Sequence, residues 1–311
     1  MPTVPKCSLL VLTYNQQAFV GAALDAAFAQ TGGPFEIIVS DDASTDDTFV
    51  VIEERVARYG GPHRVVVNRN AANMGVIAHT NRVVELATAD ILIPCYGDDV
   101  SFPDRATRIV EVFERHDPLL THSHAIPIDE NGRRVVSGYV GATFFDGADP
   151  LRAAVSLSHY LGASGAWSRA LFDKYGPIRS PIVYDDLVLG FRAALEGRVH
   201  LIDEPLLYYR EGVGISHLKR EDKSRAANRI RRTKILRLSC AVFEERLTDA
   251  RRFGLPEAHP IITRLKRALM RDRARLAYHE NRRGLLSAIP RHPGLALEAT
   301  VSEMLHDLRK R

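Results

Sequence analysis

Three pairs of adjacent aspartates, Asp41-Asp42, Asp98-Asp99 and Asp185-Asp186, are the residues whose type and placement could do chemistry. Two of the pairs follow apolar runs, Phe35 to Val39 and Asp90 to Cys95, that read as strands buried on both faces. Carboxylates crowded at such a place repel one another and stay ionised together only where a cation or a set of donors neutralises them. A few hard oxygen ligands suit Mg²⁺ or Mn²⁺, which take one or two carboxylates and complete their shell with water and phosphate oxygens. A nucleoside diphosphate would supply those oxygens. The chain has neither a Walker A loop nor GxGxxG, so phosphate binding here would rest on metal and not on a glycine cradle. The competing reading is that strand-end and helix-start aspartates are caps, which suits Asp46 and Asp47.

The elements that must position these acids are legible from periodicity. Ser8 to Thr13 reads as a strand, and Phe19, Val20, Ala23, Leu24, Ala27 and Phe28 follow at helical spacing. After the strand at Phe35 to Val39, Ser44-Thr-Asp-Asp47 matches a capping box opening a helix with Val51, Ile52 and Val56 inward. Arg64 to Val67 is a third strand, Val76 to Leu86 a third helix and Asp90 to Cys95 a fourth strand. Such alternation predicts right-handed βαβ units, with ligands at the carboxyl ends of the strands. Those ends carry Thr13-Tyr-Asn15, Asp41-Asp42 and Gly97-Asp-Asp99. Further on, Ser101 and Pro103 predict the start of a helix with Ile109, Val110 and Phe113 as its stripe. Leu119 to Ile128 predicts a strand, and Asp129 to Gly132 a hairpin turn into Val135-Val136, so the sheet becomes mixed. A helix from about Tyr184 to Glu196 and extended segments at Val199 to Ile202 and Leu206 to Tyr209 complete this part.

The succession Leu12-Thr-Tyr-Asn15, Val39-Ser-Asp-Asp-Ala-Ser-Thr-Asp46, Asn73-Met-Gly75, Ala89 to Asp99, and Asp185-Asp-Leu-Val-Leu-Gly-Phe-Arg192 followed by Glu204-Pro-Leu-Leu-Tyr-Tyr-Arg210 closely resembles the family 2 inverting glycosyltransferases, over roughly residues 6 to 212. The fold class it implies is α/β: a GT-A, Rossmann-like mixed sheet flanked by helices, with a C-terminal helical extension. The resemblance implies that Thr13 and Tyr14, with Asp41 or Asp42, hold the uracil and ribose of a UDP-sugar, and it adds Asn15, Asn73 and Gly75 to the nucleotide-binding set. It implies that Asp98 reaches the ribose or donor sugar, that Asp99 coordinates Mn²⁺ or Mg²⁺ at the diphosphate, and that Asp186 is the catalytic base. Asp185 stands where the family more often has Glu, Tyr96 where it often has an acid, and His217 is displaced from the family's usual histidine. Asp185, Gly162, Ser164, Trp167, Arg210 and His217 are candidate donor or acceptor contacts. The implied partners are a nucleotide-sugar donor and a saccharide or lipid-linked saccharide acceptor.

An inverting transfer needs one carboxylate to take the acceptor hydroxyl's proton while the leaving diphosphate is neutralised. A glycosidase would instead need two carboxyl groups flanking a glycosidic bond and no nucleotide site. A nucleotidyltransferase is disfavoured by the lack of a Gly-rich, basic phosphate loop after the first strand. From another class, a noncatalytic nucleotide-sugar binder or membrane-associated scaffold is the alternative.

Composition frames these readings. With 311 residues, 45% hydrophobic and 26% charged, the chain is long enough for one large α/β domain and an appendage. Its formal charge of +4 hides an asymmetry: 18 Lys/Arg against 27 Asp/Glu through His217, then 24 against 11. The expected division is therefore an acidic catalytic domain over 1–217 and a basic helical extension over 218–311. Three cysteines without CxxC spacing suggest neither disulfides nor zinc. Neither a signal peptide nor the ~20 apolar residues of a membrane span is recognised, and a cytoplasmic location fits. From Lys219 the pattern is helical, with breaks at Gly254-Leu-Pro256, Gly284 and Pro290. Its cations, interleaved with Ile230, Ile235, Leu236, Leu238, Val242 and Phe243, would suit an anionic membrane surface, packing on the acidic body or a homo-oligomer interface. No motif supports nucleic acid. His122 and His124 read as a structural pair, Gly162 to Gly165 as a turn or a loop beside the sugar, and Trp167 as a core residue or a sugar-stacking one.

Overall fold

The computed structural model describes residues 5–136, 149–213, 224–280, 294, 297–298 and 301–303. The chain forms two compact units, Met1–Asp149 with Ser158–His217, and Pro150–Leu157 with Leu218–Arg311.

In the first unit β1 (Cys7–Thr13), α1 (Val20–Phe28), β2 (Glu36–Asp41), α2 (Thr48–Arg58), β3 (Arg64–Arg69), α3 (Val76–Leu86) and β4 (Ile91–Tyr96) alternate, and the four strands lie parallel in the order β3-β2-β1-β4. Every residue of β1 and β2 is buried, as strands covered on both faces require, whereas β3 at the edge is half exposed. Helix α1 buries Val20, Ala23, Leu24 and Ala27, spaced at three and four residues, and Val20, Leu24 and Ala27 join the same core as Leu9, Val11, Ile37, Val39 and Ile52. Each such Leu, Ile or Val contributes about 1.5–3 kcal/mol by leaving water.

The chain then forms β5 (Val100–Ser101), α4 (Arg105–His116), β6 (Leu120–Ile128), α5 (Pro150–Ala153), a 3₁₀ turn at Gly162–Ser164, β7 (Gly165–Ser168), α6 (Ala170–Tyr175), α7 (Asp185–Leu195) and β8 (Val199–Arg210). The eight-stranded sheet continues as β4-β7-β6-β8-β5, with β7 antiparallel to both its neighbours, β8 parallel to β6, and β5 antiparallel to β8.

Three local expectations are corrected. Ser44 does not cap α2: the helix begins at Thr48, and Ser44 instead serves Asp41, while Asp46 Oδ1 accepts the Thr48 N–H at 3.0 Å. Ser101 is not a helix cap, because Val100–Ser101 pair with Tyr208 and Leu207 and α4 starts at Arg105. The hairpin after β6 is tight, Asp129 Oδ1 accepting from the Asn131 and Arg133 N–H groups, but among the described residues its return is a bridge between Ile128 and Arg134 and a bond from the Val135 N–H to the Pro127 carbonyl, without a strand.

The second unit is helical. Helix α8 (Arg225–Phe253) starts at Ser224, whose Oγ accepts the Ala227 N–H, and stops at Gly254, which takes a left-handed φ of 101°. Helix α9 (Pro260–Glu280) packs on it, and Leu236, Cys240, Phe243, Leu247, Ile262, Leu265 and Leu269 are buried. Ile230 and Ile235, expected among the apolar face, are 69% and 43% exposed. Buried Arg246 donates to the carbonyls of Ala153, Ala154 and Ser156, tying α5 to the helices. Buried Glu303 pairs with Arg232 and His279. The expected breaks at Gly284 and Pro290 lie outside the described residues, and among those described no helix is long and apolar enough to cross a membrane.

Candidate functional site

The carboxyl ends of β1, β2 and β4 lie side by side: Thr13 is in register with Asp41, and Leu12 with Tyr96. Asp41 is wholly buried and its carboxylate accepts from the Ser44 N–H at 2.9 Å, the Ser44 hydroxyl and the Thr13 hydroxyl at 3.3 Å, with Arg69 Nε 3.5 Å away. Asp42 is equally engaged. Its Oδ1 accepts from Asn70 Nδ2 at 2.8 Å and the Met74 N–H at 2.9 Å, and its Oδ2 from the Gly75 N–H at 3.0 Å. Asn73 Oδ1 also accepts the Gly75 N–H, and Gly75 holds a φ of 79° that side chains rarely adopt. Asn15, at a φ of 51°, bonds through its Oδ1 to the Thr45 N–H. The pair that ends β2 therefore organises the two loops around it, and Tyr14, Asn15 and Asn73 form the exposed part of the expected nucleotide-binding set.

The pair after β4 is different. Gly97 permits its placement, since a Cβ there would stand 2.5 Å from Gln16 Oε1 and 2.9 Å from Thr13 Cγ2. Asp98 and Asp99 are both buried. Asp99 Oδ1 accepts the Arg210 N–H at 2.8 Å, while the Arg210 guanidinium is spent on the carbonyls of Asp98, Asp129 and Glu130 and lies over the Phe19 ring. Burial pushes the Asp98 carboxyl above the usual aspartate range, against the pull of Arg210 and a bond from Gln16. Burial, then the charge of Asp98, pushes Asp99 well above it, against Arg210 and Arg105. Among the described residues, the two cations that bear on this pair, Arg210 and Arg105, spend their guanidinium groups on backbone carbonyls and the Ser101 hydroxyl, and burial outweighs their pull. Among the described residues no three His, Cys, Asp or Glu side chains converge as a metal cage. A hard cation held by one or two carboxylates and completed by ligand oxygens fits that donor set; zinc does not.

Arg105 was not foreseen as a site residue. It is 1% exposed and donates to Ser101 Oγ and to the carbonyls of Pro94, Ala163 and Gly165, fastening β4 to the 3₁₀ turn and β7. Its position four residues before Ile109 puts it on the buried face of α4, where periodicity alone gives no sign of a charge's purpose.

The third pair opens α7. Asp185 is buried; its Oδ2 accepts the Tyr96 hydroxyl at 2.7 Å and its Oδ1 the Asp186 N–H at 2.7 Å. Burial raises the Asp185 carboxyl, and the Tyr96 bond is the foremost influence holding it down. Asp186, in the same first turn, is half-buried. Gly162 runs close by, a Cβ there standing 3.6 Å from Asp185 Oδ1 and 3.7 Å from Asp186 Cβ. Burial, with Asp185 and Asp186 nearby, drives the Tyr160 phenol well above its ordinary value.

The remaining candidates sit elsewhere in the fold. Trp167 is fully buried in β7, in register with Leu92 and Leu120, and gives its Nε1–H to the Tyr160 hydroxyl at 3.0 Å, so it is a core residue with no face for a sugar. Ser164 is 1% exposed and donates to the Leu161 carbonyl. His122 stacks on Tyr160 and His124 bonds to Asp203, so the two histidines serve different neighbours. His217 lies outside the described residues.

The sequence profile described as Glycosyl transferase family 2 matches residues 8–176. A protein of Mycobacterium tuberculosis named as uncharacterized is 29% identical over 230 residues, 70% of this chain and 62% of the relative; this chain thus spans about 62% of that relative's length. S. aureus TarS 1–349 in complex with UDP superposes with a TM-score of 0.61 at 16% identity, covering 97% of this chain and 92% of the other. A mannosyltransferase from Pyrobaculum calidifontis in complex with GDP-Man and Mn²⁺ gives 0.57 at 18% identity, covering 97% and 81%. These two likenesses show the GT-A fold alone. With more than half of its length matched by the family profile, the chain belongs to glycosyl transferase family 2.

Proposed function

We propose that this protein is an inverting glycosyltransferase that moves a sugar from a nucleotide donor, UDP-linked by preference, to a hydroxyl of a saccharide or lipid-linked saccharide. The observation that carries the reading is the Asp98–Asp99 pair, buried in the turn just after β4, whose last residue Tyr96 bonds to Asp185. Asp99, with Asp98 beside it, would hold Mn²⁺ or Mg²⁺. When bound, that ion neutralises the leaving diphosphate and orients it. The GDP-Man and Mn²⁺ in the Pyrobaculum mannosyltransferase and the UDP in TarS support the donor class and the metal.

The chain's own residues do the rest. Tyr14, Asn15 and Asn73 are exposed around the loops that Asp41 and Asp42 brace, which suits a nucleoside. Asp186 takes the proton of the attacking hydroxyl, and a single base suffices because the diphosphate leaves without one. Asp185 is buried and holds the Tyr96 hydroxyl and the Asp186 N–H, whereas Asp186 is half-buried and so open to an incoming hydroxyl, which favours it as the base of the two.

Asp186→Asn tests this: calorimetry with UDP and Mn²⁺ should return the wild-type affinity, while nucleoside diphosphate release from UDP- and GDP-sugars falls about 10²–10⁴-fold. Unchanged turnover in Asp186→Asn removes it as the base. On the second unit, exposed Ile230 and Ile235 beside Arg229 and Lys234 support contact of α8 with an anionic membrane surface. Anionic vesicles should retain the protein at low salt and release it at high salt; failure to retain it refutes that contact.

A further inference from the structure

We propose that Tyr96 is a positioning residue for the transfer reaction, its hydroxyl holding Asp185 and, through Asp185, the backbone at Asp186. The inference rests on the reading of Asp186 as the base. Helix α7 begins without a side-chain cap, Tyr184 at the capping position making no such bond. Its first turn is anchored instead by the Asp185 carboxylate. One oxygen takes the Asp186 N–H, a donor that a helix start leaves without an intrahelical partner, and the other takes the Tyr96 hydroxyl, each at 2.7 Å.

Tyr96 stands two residues before Asp98 at the end of β4. The hydroxyl–carboxylate bond is therefore a fixed-length link, spanning 89 residues of sequence, between the strand end that would hold the diphosphate's cation and the helix turn that carries the base. Gly162 borders the same carboxylate, a Cβ there standing 3.6 Å from Asp185 Oδ1, so Asp185 lies between β4 and the 3₁₀ turn. A displacement of about 1 Å in a reacting group costs on the order of a hundredfold in rate, which is the scale at which such a link matters. A second carboxylate in place of Tyr96 would confront Asp185 with a like charge, whereas a phenol offers it a donor.

Tyr96→Phe, Asp185→Asn and the double variant, compared with Asp186→Asn, test the link. Tyr96→Phe keeps the ring and should bind UDP with Mn²⁺ within twofold of wild type, while kcat for nucleoside diphosphate release falls about ten- to a hundredfold at unchanged donor KM. Asp185→Asn should fall comparably, and the double variant should be no worse than the poorer single, because both act through one contact. Hydrogen exchange supplies a readout independent of turnover: the Asp186 amide should exchange faster in Tyr96→Phe, with the rest of α7 unchanged. Wild-type kcat in Tyr96→Phe, multiplying effects in the double variant, or unaltered exchange at Asp186 each overturns the inference. Retained turnover in Asp186→Asn marks instead a failure of the base assignment, which leaves the exchange result as the judge of the link.

Discussion

The aspartate pairs that end β2 and β4 flank the same central strand and share one dipeptide sequence, yet their surroundings make them opposites. Asp41 and Asp42 face Ser44, Thr13, Asn70, Arg69 and the N–H groups of Met74 and Gly75, a donor for nearly every lone pair. Asp98 and Asp99 have fewer donors among the described residues: the Arg210 N–H on Asp99, the Asp98 N–H and Gln16 on Asp98, and the more distant pull of Arg210 and Arg105, which burial outweighs. The first pair spends its charge on building loops. In the second, burial raises both carboxyls, as the proposed cation site requires. A carboxylate pair after a strand therefore announces a cation only where the protein has not already supplied the donors.

The largest effect should come from removing the unspent charge. Asp99→Asn can keep the Arg210 N–H on its remaining oxygen, so folding is preserved, while UDP affinity in Mn²⁺ should fall about a hundredfold, about 2.7 kcal/mol. The same change should alter the pH response of the metal-free protein. The Asp99 carboxyl is held above its ordinary 3.8, so over that interval the native state keeps a proton the unfolded chain has lost. Stability then falls as pH rises from about 3.8 through the raised value, and Asp99→Asn should flatten that fall in denaturant titrations with chelator present. If Asp99→Asn instead destabilises the protein and leaves UDP binding intact, the two pairs are alike and the contrast is lost.

An intermediate effect belongs to the spent pair. Asp41→Ala strips the acceptor from the Ser44 N–H and hydroxyl and the carboxylate from Arg69, while the Thr13 hydroxyl keeps the Ser40 carbonyl at 3.1 Å. Buried donors without acceptors cost about 1–3 kcal/mol, so a loss near the middle of that range is expected in the unfolding midpoint, with or without metal. A stability change that appears only when Mn²⁺ is present would move Asp41 into the cation site.

Much of this contrast is out of reach of local sequence. The parallel half was legible: β1 to β4 announce themselves as continuous apolar runs, and α3 occupies Val76–Leu86 as its periodicity predicts. That the aspartates sit at strand ends follows from the same pattern. Their partners do not, because Asp42 is satisfied by residues 28 to 33 positions away and Asp185 by Tyr96 at 89. The start of α4 is misplaced for the same reason: Val100–Ser101 is drawn into a strand by Leu207 and Tyr208, a pairing that no nearby residue encodes. Ser44 has the spacing of a cap but a stronger acceptor in Asp41. Trp167 has the chemistry of a sugar-stacking ring, and only the antiparallel insertion of β7 between β4 and β6 decides that it is core.

The smallest effect sharpens the comparison most. Asp42→Asn retains one carbonyl oxygen, enough for Asn70 Nδ2 and the Met74 N–H that now share Oδ1. Its amide then confronts the Gly75 N–H, but that group already has a second acceptor in Asn73 Oδ1 at 2.9 Å. The loss should therefore stay near 0.5–1 kcal/mol, the net worth of one exchanged hydrogen bond and far from that of an unpaired charge. Hydrogen exchange should show it as faster opening of the amides at residues 73–75, with α3 unchanged because its first turn begins beyond Gly75. A carboxylate whose negative charge can be deleted so cheaply is holding a loop by geometry alone. Its counterpart Asp99 should fail the same substitution in UDP binding while passing it in stability, and the divergence of those two readouts is what separates a brace from a cation site.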